Sequence, residues 1–325
     1  MSAAMVPLVQ PAASFGRGFA HEDAPSFVPR PYARGVTAER STDAGPSPTQ
    51  QLSQLACGVM GDVLLTETMG RLRVLRLNRP DRKNALNGAL FQAITTGVLD
   101  AARDDEVWAL AITGAGDAFC SGLDLDDVGA SDGEDRQSEA DDGDDDVTGN
   151  FAMLLRVECD KPVIAGVNGV AVGIGVSLAM AADVRIAAPS ARFHPGYARV
   201  GTSPDGGGTW TVTQALGYEG AMRFYLENRM VGADDAVRRG LVGEVTDSDE
   251  VFEERFLEYA EQISRVAPLA ARQTKRLLGK VSQPRDLPAH LREEVRLALH
   301  GLGSEDSAEA IRAMVARDEP VFRGR

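Results

Sequence analysis

Cysteine, aromatic residues and long apolar runs are all scarce in this chain. Its three cysteines among 325 residues, Cys57, Cys120 and Cys159, stand at spacings that suit neither a disulfide framework nor a zinc site. A reducing, cytoplasmic setting is therefore expected. No apolar stretch approaches the roughly 20 residues needed to span a bilayer, so a soluble protein with no membrane partner is expected. Positive charge is also short: 34 Lys and Arg face 48 Asp and Glu, for a formal charge of -14. That field repels polyanions, which argues against a nucleic-acid partner and obliges any anionic ligand to find a local basic patch.

Two segments lack the pattern of a folded core. Residues 1–55 are rich in Pro, Ser, Ala and Gly without a sustained period, and read as a disordered tail. An apolar piece at Met5 to Val9 is broken by Pro7 and has no cationic start, so it is a poor signal peptide; scattered arginines make an equally weak transit peptide. The second segment, 131–147, carries nine carboxylates opposed only by Arg136. Self-repulsion is expected to keep it an extended, mobile loop within the domain rather than a cation site, which would need a turn to hold its ligands.

Between and beyond these lies an α/β pattern. Val63 to Thr66 and Leu72 to Leu77 read as a hairpin with Met69 and Gly70 in the turn, and Asn84 to Ala102 as an amphipathic helix. Strands are expected at Val107 to Thr113, Val163 to Val167 and Val184 to Ala187, with helices at Asn150 to Val157 and Gly173 to Ala182. Such alternation implies a core with crossovers over 56–248. Residues 249–325 read as a helical C-terminal region.

Two glycine-rich stretches stand where strands turn into helices. Phe119-Cys-Ser-Gly-Leu-Asp-Leu125 and Val167-Asn-Gly-Val-Ala-Val-Gly-Ile-Gly175 each allow backbone N–H groups to point outward at an anionic oxygen. Either stretch alone is equally readable as an ordinary turn. Together with Leu77-Asn-Arg-Pro-Asp-Arg-Lys-Asn-Ala-Leu-Asn87, and in this order, they resemble the crotonase superfamily, the enoyl-CoA hydratases and isomerases, over the chain from about Asp62 onward.

The resemblance implies a crotonase-like ββα superhelix, a helical C-terminal region that assembles homotrimers or homohexamers, and an acyl-CoA thioester substrate with no other cofactor. It implies that the amides of Leu123 and Ile174 form an oxyanion hole. It also places Arg82, Lys83, Ala85, Ser121, Gly122, Asp124, Leu125 and Gly173 around the CoA, and likens the late Phe322 to a tail position that approaches CoA. No metal is called for.

Departures from the family pattern select among its reactions. Hydratases of the family activate water with two glutamates, and the matching positions here are Ser177 and Tyr197, neither a general base near neutral pH. Asp205, in Gly201-Thr-Ser-Pro-Asp-Gly-Gly-Gly-Thr-Trp210, reads locally as a helix N-cap. Its Pro-Asp-x-Gly-Gly-Thr-Trp setting also resembles isomerases of the family in which that aspartate shuttles a proton. The expected activity is therefore Δ3,Δ2-enoyl-CoA or ring-enoyl-CoA isomerisation through Asp205. The alternatives are hydration, hydrolysis or dehalogenation, and an inactive CoA-binding oligomer. Tyr197 is expected to contact substrate, His194 to shape the site, Ser177 to lie in the helix wall, and Trp210 and Phe224 to be core.

Overall fold

Alternating and continuous apolar runs place most of the strands in one large sheet. The structure, a computed structural model, describes residues 63–124, 150–282, 287–318 and 320–321, all within the unit spanning 51–325. β1 (Leu64–Met69) and β2 (Leu72–Leu77) form the expected hairpin. Met69 pairs with Leu72, so the two-residue turn is Gly70 and Arg71, one residue later than expected. Gly70, with φ of 59°, takes the left-handed conformation the tight turn requires.

α1 (Gly88–Arg103) starts later than its periodicity suggests, because the Asn87 side chain caps the Leu90 N–H at 2.9 Å. It buries Leu90, Ile94, Val98 and Ala101 against the sheet. β3 (Ala109–Gly114), β5 (Val163–Val167), β7 (Val184–Ala187) and β10 (Glu244–Val245) continue the sheet in parallel, giving the order β1-β2-β3-β5-β7-β10. β3 and β5 are buried at every position, as parallel strands covered on both faces must be.

A second sheet was not legible in the sequence. β4 (Ala118–Cys120), β6 (Val170–Val172), β8 (Arg192–His194) and β9 (Val231–Gly232) make a small sheet in that order, each too short to show a period. Chain order shows the repeat: β3 then β4, β5 then β6, and β7 then β8 each send one strand to the large sheet and the next to the small one. A helix follows each pair, which is the ββα repeat the resemblance implied. α2 (Phe151–Met153) runs into a π turn at Leu154–Glu158, then come α3 (Ile174–Ala181) and α4 (Gly208–Glu227), the last kinked at Gly217.

The C-terminal elements are α5 (Ala233–Arg239), α6 (Phe252–Ser264), α7 (Pro268–Ser282), α8 (Leu287–Leu302) and α9 (Glu305–Ala316). α6 is a layer of the core itself. Its Phe252, Phe256, Leu257 and Ala260 cover the face of the large sheet opposite α1, against Leu72, Val74, Ala109, Ala111 and Ile164. The approach is close enough at Gly166 that a Cβ there would sit 2.7 Å from the Phe256 ring. Among the described residues no helix is long and apolar enough to cross a membrane. The tail and the acidic loop read from the sequence lie outside the described residues, as do Cys57, Leu125 and Phe322.

Candidate active site

The site is built where the two glycine-rich stretches meet. β4 and β6 pair in parallel, which carries Cys120–Leu123 alongside Val172–Gly175. Only glycine permits the approach. A Cβ on Gly175 would lie 2.2 Å from the Cys120 carbonyl oxygen, and one on Gly122 would lie 3.0 Å from that of Val172. Gly122 has φ of 97° and Gly173 φ of 53°, left-handed values that other residues take at a cost.

This geometry frees two amides. Leu123 bridges Leu86: the Leu86 N–H donates to the Gly122 carbonyl at 2.7 Å, and the Asp124 N–H donates to the Leu86 carbonyl at 2.9 Å. Leu123 N–H, between them, has no acceptor among the described residues. Ile174 is the first residue of α3, so its N–H is one of the helix's unsatisfied donors. The Gly173 N–H donates to His194 O at 3.0 Å, which fixes the turn into α3.

Two asparagines hold the scaffold beneath. Asn84 donates to the carbonyls of Ala115 and Ala118 and accepts from Arg79 N–H. Asn168 donates to Gly116 and Ala118 and accepts from Gly114 N–H. Both therefore clamp the turn that leads into β4. Neither role is legible in the motif itself, although Asn168 stands directly before Gly169 at a turn, where asparagine is favoured.

The carboxylate side is formed by Asp205. Tyr197 Oη donates to Asp205 Oδ1 at 2.7 Å, and Ser177 Oγ donates to the Asp205 carbonyl at 2.8 Å. Ser177 and Tyr197 oxygens are 3.1 Å apart. Gly206 seats this loop on the oxyanion segment, since a Cβ there would be 3.0 Å from Ser177 Cβ and 3.2 Å from Ile174 Cγ1. Asp205 is not the cap of α4. That place belongs to Gly207, with no side-chain cap, and the Asp205 carbonyl accepts from Gly208 N–H at 3.0 Å.

Residues 67–325 match the enoyl-CoA hydratase/isomerase family. The chain belongs to that family. It is 38% identical over 258 residues to a probable enoyl-CoA hydratase of Rhodobacter capsulatus, covering 78% of this chain and 95% of the relative. It is 31% identical over 271 residues to the 1,2-epoxyphenylacetyl-CoA isomerase of Escherichia coli, covering 82% and 100%. The crystal structure of an enoyl-CoA hydratase/isomerase from Pseudoalteromonas atlantica superposes with a TM-score of 0.72 at 29% identity, covering 81% and 100%. The crotonase-like fold expected from the three motifs is thereby shown.

Within this family framework the remaining expected site residues fall into two sets. Gly122, Gly173, Leu123 and Ile174 are together at the β4 and α3 turns. Ala85 and Ser121 sit beside them: Ser121 N–H donates to the Lys83 carbonyl at 3.0 Å and its Oγ to the Arg82 carbonyl at 3.3 Å. The charged members of the first motif are engaged elsewhere. Buried Asp124 is held by Arg79 at 2.7 Å and Arg82 at 2.8 Å, so its carboxylate serves as a structural tie between the first two motifs. Exposed Lys83, in a left-handed conformation, pairs with Asp117 at 2.6 Å and draws that carboxyl below its ordinary range.

Tyr197 is buried, and its hydroxyl bonds Asp205 and Ser177. Burial, reinforced by the Asp205 charge, pushes its pKa well above the usual phenol value, so it is a neutral donor and no base. Ser177 lies buried in the α3 wall as expected. Cys120, beneath the oxyanion turn, is pushed up to about 11 by burial and is a packed thiol. Phe224 is core; Trp210 is only half-buried. Among the described residues no group of His, Cys, Asp and Glu could hold a metal ion.

Proposed function

We propose that the protein is a Δ3,Δ2-enoyl-CoA or ring-enoyl-CoA isomerase in which Asp205 shuttles the proton. The observation that carries this reading is that, among the described residues, Asp205 is the carboxylate held beside the amide pair. Ser177 and Tyr197 occupy the two positions where family hydratases carry glutamates, and both donate hydrogen bonds toward Asp205. The relatives' names lean toward hydratase, with an isomerase among them. The identity of these two side chains weighs against a two-glutamate hydration.

In this mechanism the thioester oxygen accepts from the Leu123 and Ile174 amides. Asp205 takes a proton from C2 of the 3-enoyl thioester, the electron pair spreads over the carbonyl and the double bond, and the dienolate charge rests on the oxyanion hole. Return of the same proton to C4 moves the double bond from C3–C4 to C2–C3. Atoms balance without water, and no group beyond the substrate's own CoA is needed. The active unit in this reading is a homotrimer or homohexamer in the cytoplasm, consistent with exposed Leu269, Leu277 and Leu278 on α7.

The test is incubation of purified enzyme with a panel of 3-enoyl-CoA esters while the conjugated 2-enoyl product is followed in the ultraviolet. Hydration of 2-enoyl-CoA is assayed in parallel. Tight binding of the panel without any double-bond shift overturns the isomerase reading. A covalent adduct on Asp205 would replace it with nucleophilic catalysis.

A further inference from the structure

Ser177, Tyr197 and Asp205 form a ring of three oxygen contacts: Tyr197 Oη to Asp205 Oδ1 at 2.7 Å, Tyr197 Oη to Ser177 Oγ at 3.1 Å, and Ser177 Oγ to the Asp205 carbonyl at 2.8 Å. Three hydrogen bonds need three hydrogens. With Asp205 ionised the two hydroxyls supply two, one to the carboxylate and one to the carbonyl, so the Tyr197–Ser177 contact, the longest of the three, lacks a hydrogen. A carbonyl cannot donate, so Ser177 must give its hydrogen to it and can only accept from Tyr197. One proton added on Asp205 Oδ1 completes the ring, running Asp205 to Tyr197 to Ser177 to the Asp205 carbonyl.

We propose that Ser177 and Tyr197 are positioning residues that form a two-state hydroxyl relay, holding Asp205 in one place whether ionised or protonated. When Asp205 is ionised, Tyr197 donates to it. When Asp205 carries the proton, the Tyr197 hydroxyl rotates to donate to Ser177 and accepts from Asp205. No hydrogen is gained or lost by either hydroxyl, and the shuttled proton remains on Asp205 until it is returned. Both hydroxyl residues are buried, which keeps water from taking their place. The relay's use in turnover rests on the isomerase reading; its existence does not.

Other titratable and charged groups stand around the ring, among them Arg292 and Arg296 of α8, which packs on Thr202 at Gly301. α3 contributes no charged side chain. α4 brings Tyr225, whose ring stands edge-on to Tyr197 with centroids 6.1 Å apart. The turn of Tyr197 adds Arg199, which is exposed, and the first turn of α9 brings Glu305 and Asp306 past Gly201.

The experiment is an infrared pH titration of ligand-free enzyme. The Asp205 acid band is assigned by its loss in Asp205→Asn. The relay predicts a fall in one variant and little change in the other. Ser177→Ala removes the acceptor that only the protonated form uses, so the Asp205 midpoint falls by about 0.5–1 unit. Tyr197→Phe removes one charge-assisted bond from the carboxylate form and two neutral bonds from the acid form, so the midpoint moves by less than about 0.5 unit, whereas a tyrosine that only ever donated to Asp205 would on removal raise it by about 1 unit. No fall in Ser177→Ala, or a rise of about 1 unit in Tyr197→Phe, overturns the relay. Should either variant fail to fold, the wild type decides: a tyrosine C–O band must shift at the Asp205 midpoint, and its constancy there refutes the proposal. Because substrate is absent, these titrations can succeed or fail independently of the isomerase assay.

Discussion

Replacing Asp205 with Asn is the most informative single change, because it removes the proposed base while leaving its supports. Ser177 Oγ bonds the backbone carbonyl of residue 205, which the substitution does not touch. Tyr197 can still donate to the amide oxygen that replaces Oδ1. The change converts one hydrogen bond on a charged acceptor, worth about 1.5–3 kcal/mol, into a neutral one worth about 0.5–1.5 kcal/mol, so the stability cost is about 1 kcal/mol. For a chain of this size that lowers Tm by about 2–4 °C. The chemistry should suffer far more. A positioned general acid–base group contributes about 10²–10⁴ in rate, so kcat for 3-enoyl-CoA isomerisation should fall by about that factor. KM should stay near its wild-type value, since the Leu123 and Ile174 amides and the CoA contacts are unaltered. Stopped-flow or steady-state absorbance of the conjugated thioester measures both constants, with circular dichroism confirming the fold. A variant that stays folded and turns over within about tenfold of wild type would refute the shuttle, because even the low end of acid–base catalysis exceeds that.

The other consequences are more local. Gly122→Ala places a Cβ 3.0 Å from the Val172 carbonyl at a φ of 97°, so the Leu123 amide must move; kcat should fall by about 10²–10³, as when an oxyanion donor is lost. Asp124→Ala leaves Arg79 and the partly exposed Arg82 without their buried partner; discounting for that exposure, about 3 kcal/mol of stability should be lost in a denaturant titration. His194 is half-buried, and burial first, then repulsion from Arg199, holds its pKa below 6.5 despite a backbone hydrogen bond at Asn228 that favours the charged form. The unfolded chain therefore binds a proton at a higher pH than the native one, and stability is full above 6.5 and declines as pH falls toward the folded-state value. His194→Gln should flatten that part of the Tm-against-pH curve; an unchanged slope would count against the assignment.

Elements were legible in the sequence where they are long or wholly apolar. β5 and β7 fall on their expected bounds, because a buried apolar run carries its own signal. The small sheet was not legible, since its strands are two or three residues long and take their identity from pairing with one another. The weak periodicity of α4 has another cause. Its Gly-rich opening and the Gly217 kink dilute helical periodicity, and only packing against α3 makes that stretch a helix.

The site divides along the same physical line. The close approach of the two glycine-rich turns was readable because it is a backbone device: glycines stand where a Cβ would lie 2.2 Å or 3.0 Å from the facing carbonyl oxygen, so the sequence records the geometry directly. Side-chain partnerships leave no such record. Nothing in the spacing of Ser177, Tyr197 and Asp205 announces a hydrogen-bonded ring, and nothing in the first motif announces that Asp124 claims both Arg79 and Arg82. The consequence for function is specific. In the isomerase reading a glutamate pair would occupy the space filled by a serine and a tyrosine; the tyrosine hydroxyl turns to the Asp205 carboxyl and the serine hydroxyl to its backbone carbonyl. On that reading, a glutamate placed at either position would remove a hydroxyl that bonds Asp205 and set a second negative charge against it.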